Sequence, residues 1–232
     1  MKRSFLTQIF DLIAPRHCVV CGRRLTIYED VVCGRCYLDM PLTRFHRSPL
    51  DNEMARLFWG QVPIERVGAL FFYAPHSGMA HAIHALKYAD RPDVGLCLGR
   101  VLATHYQPSG FFQGIDAIIP VPLSQRRKHH RGYNQSAVIA HGIAEATGLP
   151  VWDKLVRRTT FAISQTSLNL WERRNNTQSV FQLTDEEKIR GRHVLIVDDV
   201  VTTGSTIIAL ISELQKAGNV TFSVLSLGFT KH

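Results

Sequence analysis

The apolar positions of this chain alternate between short continuous runs and stretches of helical spacing. Val194-Leu195-Ile196-Val197 is the clearest run, and four such residues in a row mark a strand covered on both faces of a parallel sheet. Residues 67–73, 116–122, 151–158, 180–183 and 220–229 read as further strands. Helical spacing predicts helices over 76–88, where Met79, Ile83 and Leu86 share a face, and over 94–105, 134–146 and 205–217, the last two stopped by Gly148 and Gly218. Strand and helix alternate, so the fold class expected is α/β, a mostly parallel, doubly wound sheet flanked by helices.

The two ends of the pattern are less regular. Phe5, Leu6, Ile9, Phe10, Leu12 and Ile13 suit a short amphipathic helix stopped before Pro15. Gln8 and Asp11 interrupt that run and no small-residue cleavage site follows, so it reads as a packing helix of a cytoplasmic protein rather than an export signal. No apolar stretch approaches a membrane span, and no membrane insertion is expected. Residues 37–66 hold Pro41, Pro49 and Pro63 around a Leu57-Phe58-Trp59 cluster and read as a linker with a short helix. Residues 159–178 are polar with little periodicity, which predicts a mobile loop and a ragged helix. The domains expected are 1–45, a helix and metal module; 46–66, the linker; and 67–232, the α/β domain.

Composition adds a bias toward anions. The formal charge is +8, and residues 121–180 alone hold nine Lys/Arg against three Asp/Glu. Basic charge gathered in about a quarter of the chain suits a polyanion, whether a multiply phosphorylated metabolite or a nucleic-acid backbone.

The strand 194–197 runs into Asp198-Asp199-Val200-Val201-Thr202-Thr203-Gly204-Ser205-Thr206. A helix starting near Ser205 offers unpaired N–H groups and positive dipole to a phosphate. Gly204 would let the backbone approach it, and Thr202, Thr203, Ser205 and Thr206 add hydroxyl donors. Asp198 and Asp199 repel phosphate; they suit vicinal ribose hydroxyls, or Mg²⁺ beside a second phosphate. This run resembles the 5-phosphoribosyl-1-pyrophosphate (PRPP) signature of type I phosphoribosyltransferases. No Walker loop and no Gly-x-Gly-x-x-Gly fingerprint occurs.

Cys18-x-x-Cys21 and Cys33-x-x-Cys36 form the second constellation. Two such pairs complete a closed tetrahedral shell, the structural form of a zinc site. A closed shell leaves no open coordination position, so the module is expected to brace the domain behind it or to dock partners. Cys97 stands alone and reads as a core thiol.

The most basic stretch is Arg126-Arg127-Lys128-His129-His130-Arg131, followed by Gly132 and Tyr133. It has three readings: a grip on pyrophosphate, a track for a DNA or RNA backbone with Tyr133 stacking on a base, or a solvated loop. Lys87, at the end of a helix with Tyr88, is a candidate for phosphate neutralisation or an ordinary partner of the helix dipole.

Taken in order, these pieces resemble the ComF family, also called ComFC or GntX-like proteins, associated with natural competence and DNA uptake. The resemblance spans the four cysteines, Leu86-Lys87-Tyr88, Pro120-Val121-Pro122-Leu123, Arg126-Arg127, Arg131-Gly132-Tyr133-Asn134-Gln135, Gln165 with Leu168, Glu172-Arg173-Arg174, Asn176, Phe181 and the acidic signature. Ser164 and Ser179 stand where the family usually has proline and glycine. The resemblance implies a PRPP site with Mg²⁺, in which Asp198 and Asp199 hold the ribose hydroxyls and residues 202–206 the 5-phosphate. Val121, Arg126 and Arg127 would face the pyrophosphate, and Lys87 would join the acidic pair in catalysis. It also implies a role in DNA uptake, with or without phosphoribosyl transfer. The alternative is a single-stranded DNA-binding accessory protein with a regulatory or vestigial PRPP site, gripping DNA through Lys128, Arg131, Tyr133, Arg173 and Arg174. A third reading makes the zinc module an adaptor for other DNA-uptake proteins.

Overall fold

The computed structural model describes residues 15–124, 131–159 and 180–231. The expected N-terminal helix, the cations Arg126, Arg127 and Lys128, and Arg173 and Arg174 lie outside the described residues.

Four strands make the main sheet: β1 (Arg66–Phe72), β2 (Ala117–Pro120), β5 (His193–Val201) and β6 (Thr221–Phe229). They lie in the order β1-β6-β5-β2, and every pair is parallel. The helices are α1 (Gly34–Leu38), α2 (Gly78–Tyr88), α3 (Pro92–Tyr106), α4 (Gln135–Thr147) and α5 (Ser205–Leu214). Alternate strand residues feed two cores. Leu195, Val197, Leu225 and Leu227 pack with α2, α3 and α4, while Val194, Ile196 and Val224 pack with α5 and the segment around Met54 and Phe58. This period of two is why the strands read as continuous apolar runs. Each fully buried aliphatic side chain contributes roughly 1.5–3 kcal/mol.

The helix starts follow local chemistry. Ser77 caps α2 by accepting from the Ala80 N–H, and Pro92 occupies the first turn of α3, two residues ahead of the expected start. Asn134 caps α4, and Gly148 ends it in the left-handed conformation. Helices α3 and α4 cross backbone to backbone. A Cβ on Gly99 would lie 2.4 Å from the Ile139 oxygen, and one on Gly142 would lie 2.3 Å from that of Leu96. The crossing fixes the axis of α4, whose N-terminus faces the end of β5.

Four expectations change in the structure. The acidic pair lies inside β5 rather than after it, because β5 goes on pairing with β6 from Asp198↔Ser226 to Val201↔Phe229. The strand expected over 116–122 spans only Ala117–Pro120: on its other edge β5 loses β2 after Pro120↔Val197, and the chain leaves through Pro122, which has no N–H for the ladder. Residues 151–158 are not one strand. Val151 bridges Ile118 in parallel, and only β3 (Val156–Arg158) is extended, paired antiparallel with β4 (Phe181–Leu183) in a separate ribbon. The fourth change is at α5, which stops at Leu214 and finishes as a 3-10 turn over Gln215–Ala217.

Residues 46–66 carry a 3-10 turn over Ala55–Leu57 and bury Met54 and Phe58. Asn52 organises this segment: its amide oxygen accepts from the Met54 and Ala55 N–H groups, and its Nδ2 donates to the Ser48 and Val67 carbonyls. Among the described residues no helix is long and apolar enough to cross a membrane.

Candidate functional site

The departure of β2 leaves the last turn of β5 facing a cavity of about 220 Å³, with Asp198, Asp199, Lys87, Val121, Arg131 and Arg158 among its walls. Lys87 Nζ, at the end of α2, sits 3.0 Å from Asp199 Oδ2. Asp199 Oδ1 accepts from the Val200 N–H at 2.6 Å. Asp198 Oδ1 accepts twice, from the Asp199 N–H at 2.9 Å and from the Ser136 hydroxyl at 3.0 Å. Burial and the neighbouring Asp199 charge push the Asp198 carboxyl up to about 7. Those two hydrogen bonds and Lys87 work in the opposite direction without overcoming the shift.

Beyond Asp198 a smaller cavity of about 40 Å³ is lined by residues 200–207, which include the first turn of α5. The leading N–H groups of a helix have no acceptor within it, so this turn presents donors, joined by the hydroxyls of Thr202, Thr203, Ser205 and Thr206. Thr203 Oγ1 and Ser205 Oγ are 2.8 Å apart. Gly204 lines the same cavity, with φ +74°. Its absent side chain concerns a different neighbour from the one expected: a Cβ there would lie 2.9 Å from the Phe58 ring. Glycine is required by the left-handed turn and by Phe58, not only by whatever occupies the cavity.

A third cavity, about 450 Å³, adjoins the first across Pro122, Leu123 and Arg158, and carries Lys154 and Arg157 on its wall. Tyr133 borders it as well. The ring packs against the helical core and the hydroxyl donates to the Leu86 carbonyl. Arg131 lies over the Tyr88 ring, 5.1 Å from its centroid, and donates to Gln135 Oε1 at 2.9 Å.

The structure thus gathers Lys87, Val121, Arg131, Asp198, Asp199 and residues 202–206 into one contiguous region. Sequence reasoning missed Ser136, Gln135 and Arg158. Ser136 offered no more than a polar residue in the first turn of a helix, directly after the Asn134-Gln135 pair, and Arg158 carried no local signal.

At the front of the chain, the Sγ atoms of Cys18, Cys21, Cys33 and Cys36 all lie within 4.8 Å of one another. None is in a disulfide. Cys21 and Cys33 Sγ are 3.8 Å apart; a tetrahedron with metal–sulfur bonds of about 2.3 Å has an edge of about 3.8 Å. The donor set and its spacing therefore fit a metal of zinc type, and the Cys33 N–H donates to Cys18 Sγ in support. Glu29 ties the second knuckle to the loop that precedes it by accepting from the Thr26 and Gly34 N–H groups. The module leans on the helical core through Val19, Val20, Val31 and Val32, with a hydrogen bond between Tyr37 Oη and His105 Nε2 at 2.9 Å.

A family model for the phosphoribosyl transferase domain matches residues 124–224. "DNA utilization protein YhgH" of Shigella flexneri is 34% identical over 214 residues, covering 90% of this chain and 88% of that protein. "Competence protein F" of Haemophilus influenzae is 36% identical over 210 residues, covering 87% of this chain and 80% of that protein. "Competence protein ComFC" of Bacillus subtilis is 30% identical over 205 residues, covering 88% and 72% respectively. Similarity at this level extends over most of the chain, and the chain belongs to the ComF family of competence proteins with a phosphoribosyltransferase domain.

Proposed function

We propose that this protein binds PRPP, carried with Mg²⁺, and acts in the handling of DNA taken up by the cell. The observation that carries the first half is the juxtaposition of an acidic pair with a hydroxyl-rich helix N-terminus at the released end of β5. In this reading the 5-phosphate takes the donors of residues 202–206, and the vicinal ribose hydroxyls donate to Asp198 and Asp199. The pyrophosphate extends toward Lys87 and Arg131. Lys87 already neutralises Asp199, so the acidic pair suits a sugar better than a resident cation, and Mg²⁺ arrives on the ligand's own oxygens. Bound there, Mg²⁺ would neutralise charge on the leaving pyrophosphate. Were transfer to occur, an acceptor nitrogen would bond to ribose C1 as the C1–O bond to pyrophosphate breaks. This chain's part is then to orient and to stabilise charge, without a protein nucleophile. The role in DNA handling rests on the names of the relatives, and zinc is the metal proposed for the four cysteines.

A second reading, single-stranded DNA binding, is favoured by the cationic wall of the third cavity, where Lys154, Arg157 and Arg158 stand beside the apolar Leu123 and Val156. Calorimetric titration separates the two. Asp198→Asn with Asp199→Asn should abolish Mg²⁺–PRPP binding and leave an oligo-dT titration unchanged or stronger. Lys154→Gln with Arg157→Gln should weaken oligo-dT and flatten its salt dependence while sparing PRPP. Absence of PRPP binding by the unaltered protein overturns the first reading.

A further inference from the structure

Gln135 and Ser136 are consecutive polar residues in the first turn of α4, only 1% and 4% exposed. Burying an amide and a hydroxyl is costly unless each is hydrogen-bonded. Neither is needed to start the helix, which Asn134 caps. Their partners, and those of the residues just before them, belong to the walls of the acidic cavity. Ser136 donates to Asp198 on β5. Gln135 holds Arg131 and donates to the Tyr133 carbonyl at 3.2 Å. Asn134 Nδ2 donates to the Val121 carbonyl at 3.0 Å, where the chain leaves β2. Tyr133 reaches the Leu86 carbonyl, beside Lys87 on α2. One short segment thereby touches three of the elements that bound the site: β5, the exit of β2 and α2.

We propose that residues 131–136 brace the acidic cavity, and that Ser136 is a positioning residue that holds Asp198 in the orientation needed to accept a ribose hydroxyl. The inference rests on the PRPP reading above. Asp198 Oδ1 is occupied twice, by Ser136 and by its neighbour's N–H, which restrains the plane of a carboxylate that lines the cavity. The hydroxyl has a second effect. A hydrogen bond donated to a carboxylate favours its charged form, and here it works with Lys87 against burial and Asp199. Arg131 and Arg158 are the other charges facing this cavity. Because the Gly99–Gly142 crossing fixes α4 further along, loss of one hydroxyl should alter Asp198 without shifting the helix.

The test compares Ser136→Ala, Ser136→Thr and the unaltered protein. Carbon-13 NMR of the aspartate carboxyls follows the Asp198 midpoint in the ligand-free chain, its signal identified by loss in Asp198→Asn. Ser136→Ala should raise that midpoint by about one pH unit, and Ser136→Thr should restore it. Affinity for Mg²⁺–PRPP should fall about fivefold in Ser136→Ala at pH 7, less at pH 9, and recover in Ser136→Thr. Should the alanine variant melt early, Ser136→Cys, close in size and a poor donor, should show the same midpoint shift. A loss that is equal at all pH values and not rescued by threonine overturns the positioning role. So does PRPP binding by the unaltered protein with a midpoint that Ser136→Ala does not move. A midpoint that moves in a protein that binds no PRPP instead overturns the reading of the site, and leaves the hold of Ser136 on Asp198 standing.

Discussion

At Asp198, burial and charge pull against function. A carboxyl raised to about 7 in the folded chain, against about 4 when unfolded, binds its proton more tightly in the native state. Its contribution to stability is therefore complete below pH 4 and is lost as pH rises through 7. Asp198→Asn should raise the melting temperature at pH 8 by roughly 2–4 °C for each kcal/mol recovered, and leave it almost unchanged at pH 4; thermal denaturation at the two pH values checks this. The proposed ligand works in the opposite sense. A ribose hydroxyl donates to the carboxylate, so PRPP affinity should climb over the same pH window, and a flat calorimetric profile from pH 6 to pH 8 would contradict the assignment. The acidic pair itself was plain in the sequence, as two carboxylates at the end of an apolar run. Ser136 was not, since it lies 62 positions away and only the packing of α4 brings it to Asp198. Tyr133, an aromatic beside arginines that suggests stacking on a base, also anchors its hydroxyl on the Leu86 carbonyl, a contact that no local pattern signalled.

At the level of elements, the site exists because two parallel neighbours of β5 end at different places. Proline at the exit of β2 ends one ladder at Val197, while β6 carries the other on to Val201. The resulting step opens beside Asp198. Gly204 then turns the chain into α5 against Phe58. Alanine there faces both a left-handed φ and a blocked Cβ, and should cost about 1–2 kcal/mol from the backbone alone. Gly114, also left-handed at φ +73° but with nothing within 4 Å of its Cβ position, separates the two effects. Denaturant midpoints should fall further for Gly204→Ala than for Gly114→Ala; equal losses would mean that Phe58 simply moves aside. The sequence signalled the strand, the turn and the helix here. It misjudged 151–158, where alternation continues through a bend and one half pairs with Ile118 and the other with β4.

For the whole molecule, the cysteine module behaves as part of the body it adjoins. Val19, Val20, Val31 and Val32 extend the helical core, and the proposed zinc would supply much of the folding free energy of a segment with so few buried residues of its own. Chelation should release one zinc per chain, measured by elemental analysis, and lower the melting temperature, with PRPP affinity changing little below the new transition. Retained metal after Cys33→Ser would contradict a four-thiolate site. The same continuity explains residues 46–66: their prolines suggest a linker, yet Met54 and Phe58 are buried on the opposite face of the sheet from the helical core.

Local chemistry, written in consecutive residues, determined the parallel sheet, the helix caps, the four-thiolate module and the acidic, hydroxyl-rich loop. Each depends on periodicity or spacing within about twenty positions, which a chain carries openly. The edges of the site, the brace from α4 and the seat of Phe58 under Gly204 were decided only by tertiary packing. They arise from contacts between residues far apart in the chain, whose closure depends on the whole fold rather than on any stretch of it.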